Sequence, residues 1–161
     1  MNCTSSTSRP ILTLGDYSLY RGVVNSVKNC DPSVIREAAG MITSSLSLPH
    51  DGVLIPVPSH LGHATDMLLL SREISLMTGL PVLDILRGPE RMSIHLLKKS
   101  GMSLPEPDAL GLYLCGEMPV GMTPLLVDNV IGTGVTMKAA LALLPSGVPC
   151  SLAVDTMRMS L

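Results

Sequence analysis

Residues 125–136, with the sequence LLVDNVIGTGVT, join a short apolar run to a loop that contains two glycines. The apolar run at 124–127 has the length and composition of a strand buried on both faces. The loop predicted over 128–136 leads into a helix predicted over 137–144. A buried strand that passes through a glycine-containing loop into a helix is typical of parallel α/β proteins.

Strands and helices alternate along the rest of the chain at the spacing of βαβ units. Helices are predicted over 17–29, from a cap at Asp31 to about Leu46, from a cap at Thr65 to Thr78, and as one turn over 93–99; further strands are predicted over 53–58, 81–86 and 151–154. We therefore predict an α/β fold, in which a twisted parallel sheet carries helices on both faces. Residues 1–10 are predicted to form a flexible polar tail, and residues 11–161 a single domain.

Composition and charge exclude several classes of protein. Eleven basic and thirteen acidic residues give a net charge of -2, which does not supply the basic stripe that stable nucleic-acid binding requires. The polar N-terminus lacks an apolar signal segment, and no apolar run approaches the roughly 20 residues of a membrane span. Four scattered cysteines form no zinc or disulfide pattern. We expect a cytoplasmic protein without a membrane partner.

The loop at 128–136 has the residue types of an anion site. Gly132 and Gly134 allow the backbone to turn tightly, and the following helix presents free amides at its N-terminus. The hydroxyl groups of Thr133 and Thr136 add two donors. The carboxylate of Asp128, at the end of the strand, can accept hydrogen bonds from vicinal sugar hydroxyls. The loop therefore predicts a sugar-phosphate site.

The segment LLVDNVIGTGVT resembles the phosphoribosyl pyrophosphate signature of the type I phosphoribosyltransferases, a hydrophobic strand followed by two acidic residues and Thr-Thr-Gly-x-Thr. The strand, Asp128, Thr133, Gly134 and Thr136 match this signature. Two positions depart from it, since Asn129 replaces the second acid and Gly132 replaces the first threonine. The alternative is a glycine-rich turn between a strand and a helix that binds no ligand.

The resemblance extends in element order over about residues 15–155. Residues 53–64 are similar to the second strand and pyrophosphate loop of the family, and Pro56-Val57-Pro58 is similar to its competence-related branch, as are Tyr17 and Lys28. It implies a type I phosphoribosyltransferase core with a small hood. It also implies transfer of the 5-phosphoribosyl group from phosphoribosyl pyrophosphate to a nitrogenous base, with release of pyrophosphate, in nucleotide metabolism.

The resemblance also assigns roles to residues. It implies catalytic roles for Asp128 and Asn129; binding of the 5-phosphate by Val130, Ile131, Gly132, Thr133, Gly134, Val135 and Thr136; and binding of pyrophosphate by Ser59, His60, Arg87 and Lys98. Magnesium is implied as the cofactor, held through the ligand and through water bound to Asp128, with no direct protein ligand. The family also implies a homodimer.

Several alternatives stay open. His60 and His63 are either ligand-binding or ordinary loop residues. The long connection at 88–122 corresponds in position to the mobile loop of the family. Its cationic candidates for pyrophosphate are Arg87, Arg91, Lys98 and Lys99, and we expect at least two of them to be solvated charges instead. A non-catalytic phosphoribosyl pyrophosphate or nucleotide-binding module, acting in regulation or with a partner, is the alternative function, because Asn129 and the weakly basic loop at 58–63 could leave the enzyme degenerate. A dinucleotide protein is excluded, since the acid precedes the glycines.

Overall fold

The computed structural model describes residues 10–159, so the tail predicted over residues 1–10 lies, apart from Pro10, outside the described residues. The elements, in chain order, are β1 (Leu12–Thr13), α1 (Tyr17–Lys28), α2 (Pro32–Ser45), β2 (Gly52–Pro56), α3 (Thr65–Thr78), β3 (Leu86–Arg87), α4 (Ile94–Lys99), a 3-10 helix (Pro107–Leu110), β4 (Tyr113–Leu114), β5 (Thr123–Ile131), α5 (Val135–Leu143) and β6 (Val148–Val154).

Four parallel strands form the main sheet, in the order β1-β6-β5-β2. β5 lies inside the sheet, with Leu126 paired to Ile55 on one side and to Pro149 on the other. All five residues of β2 are buried, as the continuous apolar run predicts for a parallel strand covered on both faces. The predicted α/β fold with a parallel sheet flanked by helices is thus confirmed.

Alternate residues of the strands pack into two separate cores. Leu54 and Leu125 pack with buried residues of α1, α2 and α3, whereas Ile55 and Leu126 pack with Met137 and Ala140 of α5. Because neighbouring side chains of a strand point to opposite faces, the three N-terminal helices cover one face and α5 covers the other. The sheet is therefore held between its two helical layers.

Local signals place most helix ends where the sequence predicts them. The Asp31 carboxylate accepts hydrogen bonds from the backbone N–H groups of Ser33 and Val34, with Pro32 as the first residue of α2. Gly79, in the left-handed conformation with φ of 77°, follows Thr78 and ends α3. The predicted cap at Thr65 was wrong, because Thr65 is the first helical residue and Ala64 occupies the cap without a side-chain hydrogen bond.

Two strand predictions and one predicted helix start need correction. β5 continues to Ile131 instead of ending at Val127, because pairing with β6 extends through Ile131 and Val154. α5 begins at Val135, two residues before the predicted start, because left-handed Gly134 turns the chain into the helix. The strand predicted over 81–86 is reduced to an isolated parallel bridge between Val82 and Leu54, and Leu86 begins β3 in a separate antiparallel pair with β4.

The long connection at 88–122 contains ordered elements. Ser93 caps α4, accepting a hydrogen bond from the backbone N–H of Leu96 at 3.2 Å, and this helix confirms the turn predicted over 93–99. Leu110 at the end of the 3-10 helix is buried, and this short helix contacts α5. Within residues 10–159, no helix is both long and apolar enough to cross a bilayer.

Candidate functional site

A cavity of about 600 Å³ opens at the carboxyl ends of β2 and β5. Its lining comes from the loop after β2, the first turn of α3, the end of β5 with its loop, α4 with the segment before it, and the ends of α1 and β6. Parallel α/β sheets bind ligands at this edge, because strand ends there lead into loops and helix N-termini. The cavity is the candidate site.

The floor of the cavity is formed by the end of β5 and its turn into α5. Gly132, Thr133 and Gly134 line the cavity, and Gly134 adopts a left-handed φ of 82° that turns the chain into the helix. The amides in the first turn of α5 have no acceptor within the helix, so they are available to an anion. Thr136 lines the cavity beside them. This turn, residues 132–136, is named the phosphate turn below.

Val130 and Ile131 line the same cavity but belong to β5, where they pair with Ala153 and Val154. Val135 is the remaining residue predicted for phosphate binding. Its side chain is not part of the lining, and its backbone N–H lies 3.5 Å from the hydroxyl oxygen of Thr133. Among the predicted residues, the phosphate turn therefore offers the polar groups and β5 offers the rigid support.

Asp128 lies beside the phosphate turn, on the floor of the cavity. Removal of its carboxyl group from bulk water, together with the nearby Asp66, raises the pKa of Asp128 to about 7, although a hydrogen bond from the backbone N–H of Asn129 at 2.7 Å acts in the opposite direction. Lys28, which also lines the cavity, favours the ionised form. Asp128 is thus an acid that can change its charge near neutral pH.

Asn129 connects β5 to a carboxylate that the sequence did not single out. Its side chain is only 6% exposed, and its Nδ2 donates a hydrogen bond of 3.4 Å to Oδ2 of Asp66, in the first turn of α3. Burial raises the pKa of Asp66 as well. The sequence did contain one signal for Asp66, which was its position. α3 follows β2, so the N-terminus of α3 must lie at the same sheet edge as Asp128.

Basic side chains from the loop after β2 and from the segment at 91–98 also line the cavity. His60, Arg91, His95 and Lys98 belong to this group, and Ser59 lies with them. The backbone N–H of Arg91 donates to the carbonyl oxygen of His60 at 2.8 Å, which joins the loop after β2 to the segment that leads into α4. Partial burial lowers the pKa of Arg91. The structure therefore brings together Ser59, His60 and Lys98 of the predicted pyrophosphate residues.

Arg87, the fourth predicted pyrophosphate residue, does not line the cavity. Its guanidinium donates to both carboxylate oxygens of Asp84, at 2.6 and 2.8 Å, and to the carbonyl oxygen of Leu86. These hydrogen bonds raise the pKa of Arg87. The prediction for Arg87 was therefore wrong, and Arg91, four residues later, lines the cavity instead.

The cavity lining also includes side chains to which the sequence assigned no ligand role. Asp155 and Arg158 follow β6 and form an ion pair of 3.4 Å, while Cys30 follows α1. His63 also lines the cavity, with its Nδ1 2.9 Å from the hydroxyl oxygen of Thr65.

No protein-family model matches the chain, and no curated protein matches it. The assignment of a function therefore depends on the geometry and chemistry of the cavity.

Proposed function

We propose that this chain binds phosphoribosyl pyrophosphate and acts as a magnesium-dependent phosphoribosyltransferase with a type I core. The observation that carries the proposal is the placement of Asp128 and the phosphate turn side by side on one cavity floor. A carboxylate next to an anion-binding helix N-terminus is complementary to a ribose 5-phosphate, which carries vicinal hydroxyls on C2 and C3 and a phosphate on C5.

The 5-phosphate binds in the phosphate turn. The backbone amides at the start of α5 and the hydroxyls of Thr133 and Thr136 donate to its oxygens, and the positive end of the helix dipole adds a favourable field. The ribose lies over the end of β5, where ionised Asp128 accepts hydrogen bonds from its hydroxyls. Both contacts arise from the strand and helix ends at one sheet edge.

The pyrophosphate group binds against the basic wall, the part of the lining formed by His60, Arg91, His95 and Lys98 with Ser59. Lys98, Arg91 and His60 supply positive charge or hydrogen bonds there, and Ser59 supplies a hydroxyl. Arg91 takes the role that the sequence suggested for Arg87, which is engaged by Asp84. A ligand with a 5-phosphate and a diphosphate would thus meet donors for both groups within one cavity.

Residues 10–159 contain no cluster of three or more His, Cys, Asp or Glu side chains arranged as a metal cage. The site nevertheless fits magnesium, because this ion is commonly held by one or two carboxylates, water and substrate phosphate oxygens. Asp128 and Asp66 are the carboxylates that would contribute. Bound magnesium would neutralise charge on the leaving pyrophosphate.

Transfer breaks the bond between ribose C1 and a pyrophosphate oxygen, which departs with the electron pair, and forms a bond from C1 to the acceptor nitrogen. Positive charge develops on the ribose ring in the transition state, so the ionised carboxylate of Asp128 stabilises it. Enclosure by the segment at 88–99 keeps water from the reactive carbon. The acceptor is a nitrogenous base held under the hood, formed by the N-terminal helices and the C-terminal edge of the sheet.

A cytoplasmic homodimer in nucleotide metabolism is part of the same proposal. A second candidate is a non-catalytic module that senses phosphoribosyl pyrophosphate or a nucleotide. It is favoured by the amide of Asn129 in place of the second acid, and by the loop at 58–63, which contains neither lysine nor arginine.

Calorimetric titration with phosphoribosyl pyrophosphate, with and without magnesium, tests the common part of both candidates. We expect binding that magnesium strengthens and that Asp128→Ala and Thr133→Ala weaken. Absence of binding to the folded wild-type chain would rule out the transferase and a sensor of phosphoribosyl pyrophosphate, and would leave only a nucleotide sensor. Pyrophosphate release with a panel of nucleobases then separates them, because a module that binds without turnover on any base is a sensor.

A further inference from the structure

We propose that Asp66 supplies the second carboxylate of the ribose site, and that Asn129 is a positioning residue that holds it there. This inference rests on the proposed function. The acidic pair of the signature is in this chain divided between two elements, with Asp128 at the end of β5 and Asp66 in the first turn of α3.

The hydrogen-bond direction supports this division of roles. An amide Nδ2 can only donate, and that of Asn129 donates to Oδ2 of Asp66 at 3.4 Å. The other oxygen of Asp66 accepts from the backbone N–H of Met67 at 3.0 Å. Both oxygens are thus anchored, each keeps a further lone pair, and the carboxylate faces the cavity that Asp128 also lines. The group is fixed but still able to accept from a ligand.

Electrostatics indicate that the two carboxylates act on one region. Asp66 is close enough to Asp128 to make its ionisation less favourable, and Lys28 makes ionisation of both more favourable. Two desolvated carboxylates beside one another are costly without a shared partner. Vicinal ribose hydroxyls, or the water bound to magnesium, supply donors that satisfy both groups at once.

This arrangement also explains why an acid at position 129 is unfavourable here. Asn129 is buried against Asp66, so an aspartate at this position would set two buried carboxylates in contact. Residue 129 must therefore donate a hydrogen bond to residue 66 when residue 66 is an acid. Exchange of the two residue types should keep one acid and one amide in the same contact.

The experiment compares Asp66→Asn, Asn129→Asp and the double exchange Asp66→Asn/Asn129→Asp by calorimetry with phosphoribosyl pyrophosphate and magnesium. Each single variant should lose about tenfold or more in affinity, the effect of removing or misplacing a charged hydrogen-bond acceptor. The double exchange should return affinity to within about threefold of wild type, since the contact is restored. Asp51→Asn is the matched control, because Asp51 bonds to Thr123 at the opposite end of the sheet and does not line the cavity.

A second readout is independent of the ligand. Carboxyl NMR titration of Asp128 should show its pKa falling in Asp66→Asn, because a neighbouring negative charge is removed. If Asp66→Asn does not fold, Asp66→Ser replaces it in these measurements. Circular dichroism checks that each variant is folded.

The outcomes separate the two proposals. If wild type binds and Thr133→Ala weakens binding while folded Asp66→Asn binds like wild type, Asp66 has no role and only the present inference fails. It also fails if the double exchange loses as much affinity as each single variant, since one acid and one amide in this contact then do not restore the ribose site. A wild-type chain that does not bind the ligand overturns the proposed function, and this inference with it.

Discussion

The backbone N–H of Gly88 donates a hydrogen bond of 3.0 Å to the carbonyl oxygen of Gly62, in a contact too close for any side chain at position 62. A Cβ atom there would lie 2.1 Å from the carbonyl oxygen of Gly88, and the φ of Gly62 is +85°. This contact joins the loop after β2 to the segment that carries Arg91 and Lys98.

Gly62→Ala should therefore separate the basic wall from the loop after β2. Steric overlap and a left-handed φ together should cost about 1–3 kcal/mol of stability. The affinity for inorganic pyrophosphate, measured by calorimetry, should fall at least severalfold. Gly79→Ala is the matched control, because Gly79 has a φ of +77° but a Cβ atom there would meet no other part of the chain within 4 Å. Equal loss of pyrophosphate affinity in both variants would contradict the role of this contact.

Arg87 and Arg91 should differ in their effect on ligand binding. Arg91→Ala is expected to weaken binding of inorganic pyrophosphate about tenfold, because a charged donor leaves the cavity lining. Arg87→Ala removes a guanidinium engaged by Asp84, outside the lining, and should leave this affinity within about twofold. Calorimetry on the two folded variants checks this order, and the reverse order would refute the assignment of the basic wall.

Asp128 should make stability depend on pH. Its pKa is raised to about 7 in the folded chain, against about 3.9 unfolded, so the folded state holds more protons between these values. Stability should consequently fall as pH rises from about 4 to about 7, by an amount on the order of a few kcal/mol.

Asp128→Asn should remove much of this slope and be more stable than wild type at pH 8. Asp66, whose pKa is also raised, would account for part of the slope that remains. Urea unfolding at pH 5 and pH 8 measures the effect. A wild-type slope that Asp128→Asn leaves unchanged would show that another group is responsible.

Thr133→Val should weaken binding of ribose 5-phosphate while nearly preserving the shape of the phosphate turn. Loss of one hydroxyl donor to a phosphate dianion should reduce affinity about tenfold. Thr43→Val is a suitable control, since Thr43 lies in α2, outside the cavity lining, and its hydroxyl bonds to the carbonyl oxygen of Gly40. The affinity for ribose, which lacks the phosphate, should be the same in both variants as in wild type.

The sequence predicted the elements whose boundaries depend on local signals. Asp31 with Pro32 marks the start of α2, and Gly79 ends α3, because caps and left-handed glycines act over a few residues. It did not predict the length of β5, since pairing of Ile131 with Val154 depends on a strand almost 20 residues away.

The candidate site was predicted unevenly for the same reason. Residues 128–136 are continuous in sequence, and most of them line the cavity. Asp66 comes from a different helix, and its contact with Asn129 follows from the packing of α3 against β2 and β5. Nor could charge alone distinguish Arg87 from Arg91, because the partner of Arg87 is three residues away and becomes visible only in the folded chain.

Because β5 is central in the sheet, the phosphate turn is held more firmly than the basic wall. The phosphate turn extends from a strand paired on both sides, whereas the basic wall depends on a six-residue helix and a few backbone contacts. Under the proposed function, the ligand should therefore bind first at the phosphate turn and be held afterwards by the basic wall. Compounds that share the 5-phosphate should consequently arrive at similar rates and differ in how long they stay.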